Sequence, residues 1–364
     1  MNILIVKLSA IGDVVHTLPS LAALRSLYPE AHLTWVVEEG AADLLRGHPC
    51  LDRVLVSRRK TWLKALRKGA IAGASKEMRE FLARLRDRPY DLVIDFHGLF
   101  KSALLAALSG GRRRLGYDSL QELSGFFYNE KIPEDLTKHA VERYLDFIRH
   151  LGAVPAVRDF TIPADDVNRR RVEELLREEG LLGGSGPLVA VNPVALWPTK
   201  LWTQEAFADL CLRLAEGGCR VVLTGAEAEG GYLEGVRVKA KGKVKNLGGR
   251  TTLRDLACLY GLADVVVTTD SGPMHIAAAV GTPVVALFGP TDPARTGPYG
   301  EGHRVIRRNL PCAPCFRKVC RNNRCLTEIE AGEVLREVEG LLGGRKGPLR
   351  ADSLEAAITK RREN

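Results

Sequence analysis

The sequence predicts a parallel α/β protein built as two doubly wound domains, and three observations lead there. Strand-like apolar runs alternate with helical patterns from one end of the chain to the other, the pattern a parallel sheet with crossover helices leaves in a sequence. The alternation falls into two series, each long enough for a sheet of its own. The length also suits two domains: 364 residues, 45% hydrophobic and 27% charged, at roughly 150 residues per domain.

The first series places strands at Ile3 to Leu8, Leu33 to Val37, Arg53 to Val56 and Leu92 to Phe96, with helices such as Val14 to Leu27 and Leu99 to Leu108 between them. The second places strands at Leu188 to Asn192, Arg220 to Thr224, Val244 to Leu247, Val265 to Thr269 and Val284 to Phe288. Its helices fall at Gln204 to Ala215, Leu253 to Leu262 and Met274 to Val280. A polar stretch from Val154 to Asp166 leads into the charged helix "VNRRRVEELLREEGLL", and "GGSGP" follows it, so either place can be a hinge. The junction is set near Pro155 to Pro163. This gives domains 1–160 and 161–342, with 343–364 as a tail and one amphipathic helix.

No apolar run approaches the ~18 residues of a membrane-spanning helix. The longest, Ile276 to Gly289, is broken by Gly281, Thr282 and Pro283. The apolar run in "MNILIVKLSAIGD" is shorter than a signal-peptide core and reads as a strand of a cytoplasmic protein. The net charge is +9, and between Arg53 and Lys76 stand eight Lys or Arg and no acidic residue. Three readings stand for that run: a solvated helix face, a nucleic-acid contact, or a dock for an anionic ligand or membrane surface. Nucleic acid lacks support, with no RNP-like aromatic pattern and no zinc-finger spacing. Cys50, Cys211, Cys219 and Cys258 sit in apolar patterns as small core residues. Cys312, Cys315, Cys320 and Cys325 cluster as C-x2-C-x4-C-x4-C, open to metal binding, free thiols or disulfides.

Two stacked α/β domains are expected to leave a cleft at the carboxyl ends of their strands, where such sheets bind ligands. Three strand-to-helix turns carry chemistry. In "VVVTTDSGPMHIAAAVGTPVVALFGPTDP" a strand stops at Asp270, turns on Ser271-Gly272 and restarts as a helix with Pro273 in its first turn. Unpaired amides and the helix dipole make that turn an anion site. Gly272 admits a phosphate to the backbone, and His275 on the first turn either donates to the ligand or packs the helix. In "VNPVALWPTKLWTQEAF" a strand ends at Asn192, and the loop delivers Lys200 just before a helix capped by Thr203, a place suited to a leaving phosphate. The next strand ends in "LTGAEAEG", where Gly225 opens the turn and Glu229 or Glu227 can accept ribose hydroxyls. The third turn, "KLSAIGDVVHTLP", sets Asp13 after the first strand, as helix cap or as general base for a hydroxyl. No G-x-G-x-x-G follows the first strand, and no Walker sequence or G-x-S-x-G elbow occurs. That weighs against dinucleotide oxidoreductases, P-loop enzymes and α/β-hydrolases.

With these motifs, and with "LTWVVEEG", "YDLVIDFHGLFKSAL", "FYNEKI", "KHAVERYL", "WPTKLW" and "GPYG" in the same order, nearly the whole chain resembles the lipopolysaccharide heptosyltransferases of glycosyltransferase family 9. "VVEEG", "FYN" and "HAVER" look most like heptosyltransferase I; the cysteine cluster looks more like heptosyltransferase II. The resemblance implies a GT-B fold, two Rossmann-like domains facing across a cleft. It implies an inverting transfer of heptose from ADP-heptose to the Kdo and inner-core region of lipopolysaccharide, with no cofactor or catalytic metal. Asp13 would be the base. Lys200 would meet the donor phosphates, Glu229 the ribose, and Asp270 the heptose; Ser271, Gly272 and His275 would surround the diphosphate, and Asn192, Thr199 and Gly225 would line the donor pocket. Arg58, Arg59, Lys60, Lys64, His97 and Lys101 would receive the acidic acceptor, Kdo-lipid A or a heptosylated core, at the inner face of the inner membrane. Trp62 is open between a sugar or interface contact and the core. Other core heptosyltransferases and a nucleotide-sugar epimerase of the same architecture are the rival enzymes, and a non-catalytic sugar-nucleotide sensor is the rival outside catalysis.

Overall fold

A computed structural model describes residues 1–119, 121–154 and 158–343. Pro155 of the expected junction and residues 344–364 of the expected tail lie outside the described residues. The chain divides into a unit running to Pro163 and a second beginning at Ala164.

The first unit contains β1 (Asn2–Val6), α1 (Ile11–Leu27), β2 (His32–Glu38), α2 (Glu39–Ala42), β3 (Arg53–Ser57), α3 (Arg59–Arg67), α4 (Ile71–Leu85), β4 (Leu92–Asp95), α5 (Phe100–Leu108), β5 (Arg113–Tyr117), β6 (Glu130–Ile132) and α6 (Ala140–His150). Its six strands pair in parallel in the order β3-β2-β1-β4-β5-β6. The register sets Ile3 beside Leu33 and Leu92, so the central strands are apolar on both faces, as a sheet covered on both sides requires. The core on one face gathers Leu4, Val6, Phe81, Tyr90 and Val93, and Trp62 belongs to it. Trp62 stacks near Phe81, ring centres 5.4 Å apart, which resolves it as a core residue.

The second unit contains α7 (Asp166–Glu178), β7 (Leu188–Asn192), α8 (Gln204–Glu216), β8 (Arg220–Leu223), α9 (Gly230–Lys239), β9 (Lys245–Asn246), α10 (Leu253–Leu262), β10 (Val265–Thr269), α11 (Gly272–Ala279), β11 (Val284–Phe288), α12 (Pro293–Thr296), β12 (Arg304–Arg307), α13 (Arg324–Thr327) and α14 (Ala331–Gly343). Its parallel sheet runs β12-β11-β10-β7-β8-β9. Local chemistry sets the ends of the helices. Thr203 caps α8 by accepting the Ala206 amide at 3.1 Å, and Thr252 and Asp255 form a reciprocal capping box on α10. Gly281, at φ +79°, follows α11 in a conformation that suits glycine. Val189, Val191, Phe207, Trp202, Val334 and Val338 pack one face of the sheet.

Both sheets therefore have the same winding, in which chain order reverses between the first and fourth strands of the unit. That reversal lies between β1 and β4 in one unit and between β7 and β10 in the other, the place where open α/β sheets bind ligands at the strands' carboxyl ends. Among the described residues no helix is long and apolar enough to cross a membrane.

Candidate functional site

At the first reversal point, Asp13 occupies the third position of α1. Its Oδ2 accepts the Ala10 amide at 3.1 Å, so the residue does cap the helix, the simpler of its two expected roles. Its Oδ1 accepts the Tyr144 hydroxyl at 3.0 Å and lies 3.9 Å from the Lys7 ammonium. The side chain remains 41% exposed, so a hydroxyl can still reach it. Desolvation works to raise its pKa, but Lys7, the Ala10 amide and Tyr144 outweigh it and hold the carboxyl below its ordinary value.

His97 follows β4 in a turn fixed by buried Asp95, whose Oδ1 accepts the His97 and Gly98 amides at 2.8 and 3.3 Å and whose Oδ2 accepts the Tyr128 hydroxyl at 2.7 Å. Burial, then Lys7 and Lys101, bring the His97 pKa down to about 3. The residue expected to receive an acidic acceptor therefore offers a neutral imidazole, not a cation.

The basic segment is less bare than its sequence suggests. Arg58 pairs with Glu39 and Glu77 at 2.8 and 3.1 Å. Glu38, at the end of β2 and only 6% exposed, sits 3.0 Å from Arg59, 3.3 Å from Lys60 and 3.9 Å from Lys101. Lys64, by contrast, is exposed on α3 with no carboxylate partner among the described residues. Four of the five expected acceptor-binding cations thus face three carboxylates, leaving a smaller positive excess held in a fixed array. Glu38 is the buried partner but the three cations around it reach solvent, so Glu38→Ala is expected to lower unfolding stability by only about 1 kcal/mol in denaturant titration.

At the second reversal point the donor residues converge. Lys200 Nζ lies 2.6 Å from Asp270 Oδ2, with side chains 17% and 5% exposed. The Thr291 hydroxyl donates to the same Asp270 oxygen at 2.5 Å, and the Lys200 ammonium also stands 4.7 Å from the centre of the Trp197 ring. Ser271 caps α11 through its extended backbone without a side-chain bond to the helix. Among the described residues the amides of Ser271 and Gly272 donate to no other protein group. They remain available to an anion. His275 is buried on the same helical turn.

Asn192 and Thr199 come to the same place but behind it. Asn192 is fully buried; its amide donates to the Thr224 carbonyl at 2.9 Å, and its oxygen is 3.5 Å from the Ser271 hydroxyl. Thr199, also buried, donates to the Arg317 carbonyl at 2.8 Å. Both brace the turns that present Ser271 and Lys200. Gly225 keeps the turn close-packed, since a Cβ there would meet Leu233 Cδ1 at 2.9 Å and Glu229 Oε2 at 3.0 Å and push those side-chain ends aside. Glu229 is partly committed, because its Oε2 accepts the Ala226 amide at 2.7 Å. Its other oxygen is left for a hydroxyl.

All eight cysteines are free thiols. Among the described residues no three His, Cys, Asp or Glu side chains are grouped so as to hold a metal ion. The segment bearing Cys312 to Cys325 instead ties loops together: the Cys315 and Phe316 amides donate to the Pro290 carbonyl at 2.9 and 2.8 Å, and Asn323 Nδ2 donates to the Leu201 carbonyl at 3.3 Å. It also brings Lys318 to 5.1 Å from the centre of the Trp197 ring. Sequence reasoning missed Lys318, Thr291, Lys7 and Tyr144. Only Lys7, a charge abutting an apolar strand, carries a local signal.

The family model for glycosyltransferase family 9 (heptosyltransferase) matches residues 78–326. The chain is 34% identical to the lipopolysaccharide heptosyltransferase 1 of Pseudomonas aeruginosa over 323 residues, covering 88% of this chain and 87% of that one. It is 32% identical to the protein of the same name from Escherichia coli K12, covering 84% and 93%. Among solved structures, E. coli heptosyltransferase WaaC with ADP-2-deoxy-2-fluoro heptose matches with a TM-score of 0.73 at 29% identity, over 93% of this chain and 99% of that one.

Proposed function

This chain belongs to glycosyltransferase family 9, the heptosyltransferases, and we propose that it moves heptose from ADP-heptose onto the Kdo-bearing inner core of lipopolysaccharide. The observation that carries the reading is the convergence of Lys200, Asp270 and the amides of Ser271 and Gly272 at the carboxyl end of β10. A solved relative with an ADP-heptose analogue bound adds support. The acceptor is acidic, and the excess of cations on α3 and Lys101 suits it. The enzyme works from the cytoplasm at the inner face of the inner membrane, where the anionic surface favours the same cations.

Transfer proceeds as a direct displacement with inversion. The acceptor oxygen forms a bond to the anomeric carbon as the bond from that carbon to ADP breaks, and ADP departs with the bonding electrons. Asp13 takes the acceptor's hydroxyl proton. Negative charge gathers on the diphosphate and is met by Lys200 and the start of α11, which accelerates transfer to the extent that these contacts strengthen in the transition state. An arriving diphosphate competes for Lys200, which frees the Asp270 carboxylate to accept heptose hydroxyls. Glu229 has one oxygen for the ribose.

The test is incubation of the purified chain with ADP-heptose and either a Kdo-terminated or an already heptosylated acceptor, read by mass. Gain of one heptose on the Kdo acceptor is expected. Gain only on the heptosylated acceptor moves the enzyme to the second transfer, and isomerised donor without transfer overturns the reading in favour of an epimerase. The chemistry runs on an ammonium and backbone amides with no metal, so a chelator such as EDTA is expected to leave the initial rate unchanged; loss of activity restored by a divalent cation would refute that.

A further inference from the structure

We propose that Lys7 and Tyr144 form a buried relay that orients the Asp13 carboxylate, making both of them positioning residues for transfer. The proposal rests on Asp13 being the base. Lys7 follows β1 and is nearly fully buried, an expensive place for an ammonium without partners. Its Nζ donates to the Phe96 carbonyl at 2.9 Å and to the Tyr144 hydroxyl at 2.6 Å, while Trp35 Nε1 donates to the Lys7 carbonyl at 3.1 Å and anchors its backbone. Tyr144, on α6, stands 3.0 Å from Asp13 Oδ1.

The direction of this chain follows from the groups themselves. An ammonium can only donate and a carboxylate can only accept. The phenol between them must accept from Lys7 and give its own proton to Asp13. With the Ala10 amide on Oδ2, both carboxylate oxygens are held, and each keeps a lone pair for an incoming hydroxyl. Orientation of a base in this way is a recognised contribution to rate.

The surroundings leave Lys7 as the source of the effect. Burial pushes the Lys7 ammonium below its ordinary value, opposed first by Asp13 and then by buried Asp95 on the β4 side, where His97 is already neutral. On α6, Arg143 is engaged with Glu134 at 2.6 Å. His16 of α1 meets the His139 ring edge-on, with centres 5.1 Å apart. The depressed pKa of Asp13 fits this picture, since desolvation alone would raise it. The sign follows: a lowered pKa keeps Asp13 ionised into the acid range, and breaking the relay raises it.

Tyr144→Phe removes the hydroxyl and keeps the ring against Phe96. In transfer assays across the acid range, kcat/KM near neutrality is expected to fall about tenfold, and the acid limb to move to higher pH, with the KM for ADP-heptose unchanged. Lys7→Met should move the limb in the same direction; if that variant does not fold, Tyr144→Phe decides alone. An acid limb coincident with that of the unaltered protein, however far the rate falls, overturns the relay. Asp13→Asn separates the two levels: full activity in that variant removes the base itself, whereas loss of activity there with an unmoved limb in Tyr144→Phe removes only the relay.

Discussion

Asp13→Ala is expected to cut turnover by ~10²- to 10⁴-fold while ADP binds as before. The expectation follows from how the protein divides its labour. Asp13 belongs to the first unit, at the start of α1, whereas the residues that converge on Lys200 and Asp270 all belong to the second. Removing the carboxylate deletes a proton acceptor without touching the diphosphate contacts. It also leaves the Ala10 amide and the Tyr144 hydroxyl without their acceptor, so a modest drop in Tm accompanies the kinetic loss. Calorimetric titration with ADP beside single-turnover transfer separates the two effects. An ADP affinity that collapses along with turnover would place Asp13 in the donor pocket instead.

The second large effect is expected at Lys200, and it has two parts. Lys200→Ala removes the cation opposite the leaving diphosphate and should slow transfer by ~10²- to 10³-fold while raising the donor KM. It also abandons Asp270, a carboxylate 5% exposed that, among the described residues, keeps Thr291 as its side-chain partner. Stranding a buried charge is costly, about 3 to 5 kcal/mol, so the variant should unfold at visibly lower denaturant. Asp270→Asn distinguishes the parts, because it relieves the stranded charge: the double variant should regain stability but not turnover. Unchanged kinetics in Lys200→Ala would remove the residue from the site.

The sequence displays the fold best where burial is complete. Strands such as β4, β7, β10 and β11 are buried along their whole length, and their unbroken apolar runs mark them. The sheet edges are quieter. β6 and β12 read EKI and RVIR, because edge strands carry charge that discourages pairing with other chains, and that charge hides them from a search for apolar runs. The site divides in a similar way. Turns after strands, with their Asp, Ser-Gly and Lys, are local and legible, whereas Tyr144 reaches Asp13 from 131 positions away. The same gap explains the basic segment: Glu38, Glu39 and Glu77 that partly neutralise it lie outside the run that looked unopposed.

The thiol-bearing stretch before α13 works as a clasp. It grips the strand-end loops on two sides, Thr199 through the Arg317 carbonyl and Pro290 through the Cys315 and Phe316 amides. One of those loops carries Lys200 and the other carries Thr291, the hydroxyl bonded to Asp270. The two loops that hold Asp270, one through Lys200 and the other through Thr291, are thereby fastened to the main chain of one short stretch, so neither jaw shifts without drawing on the other.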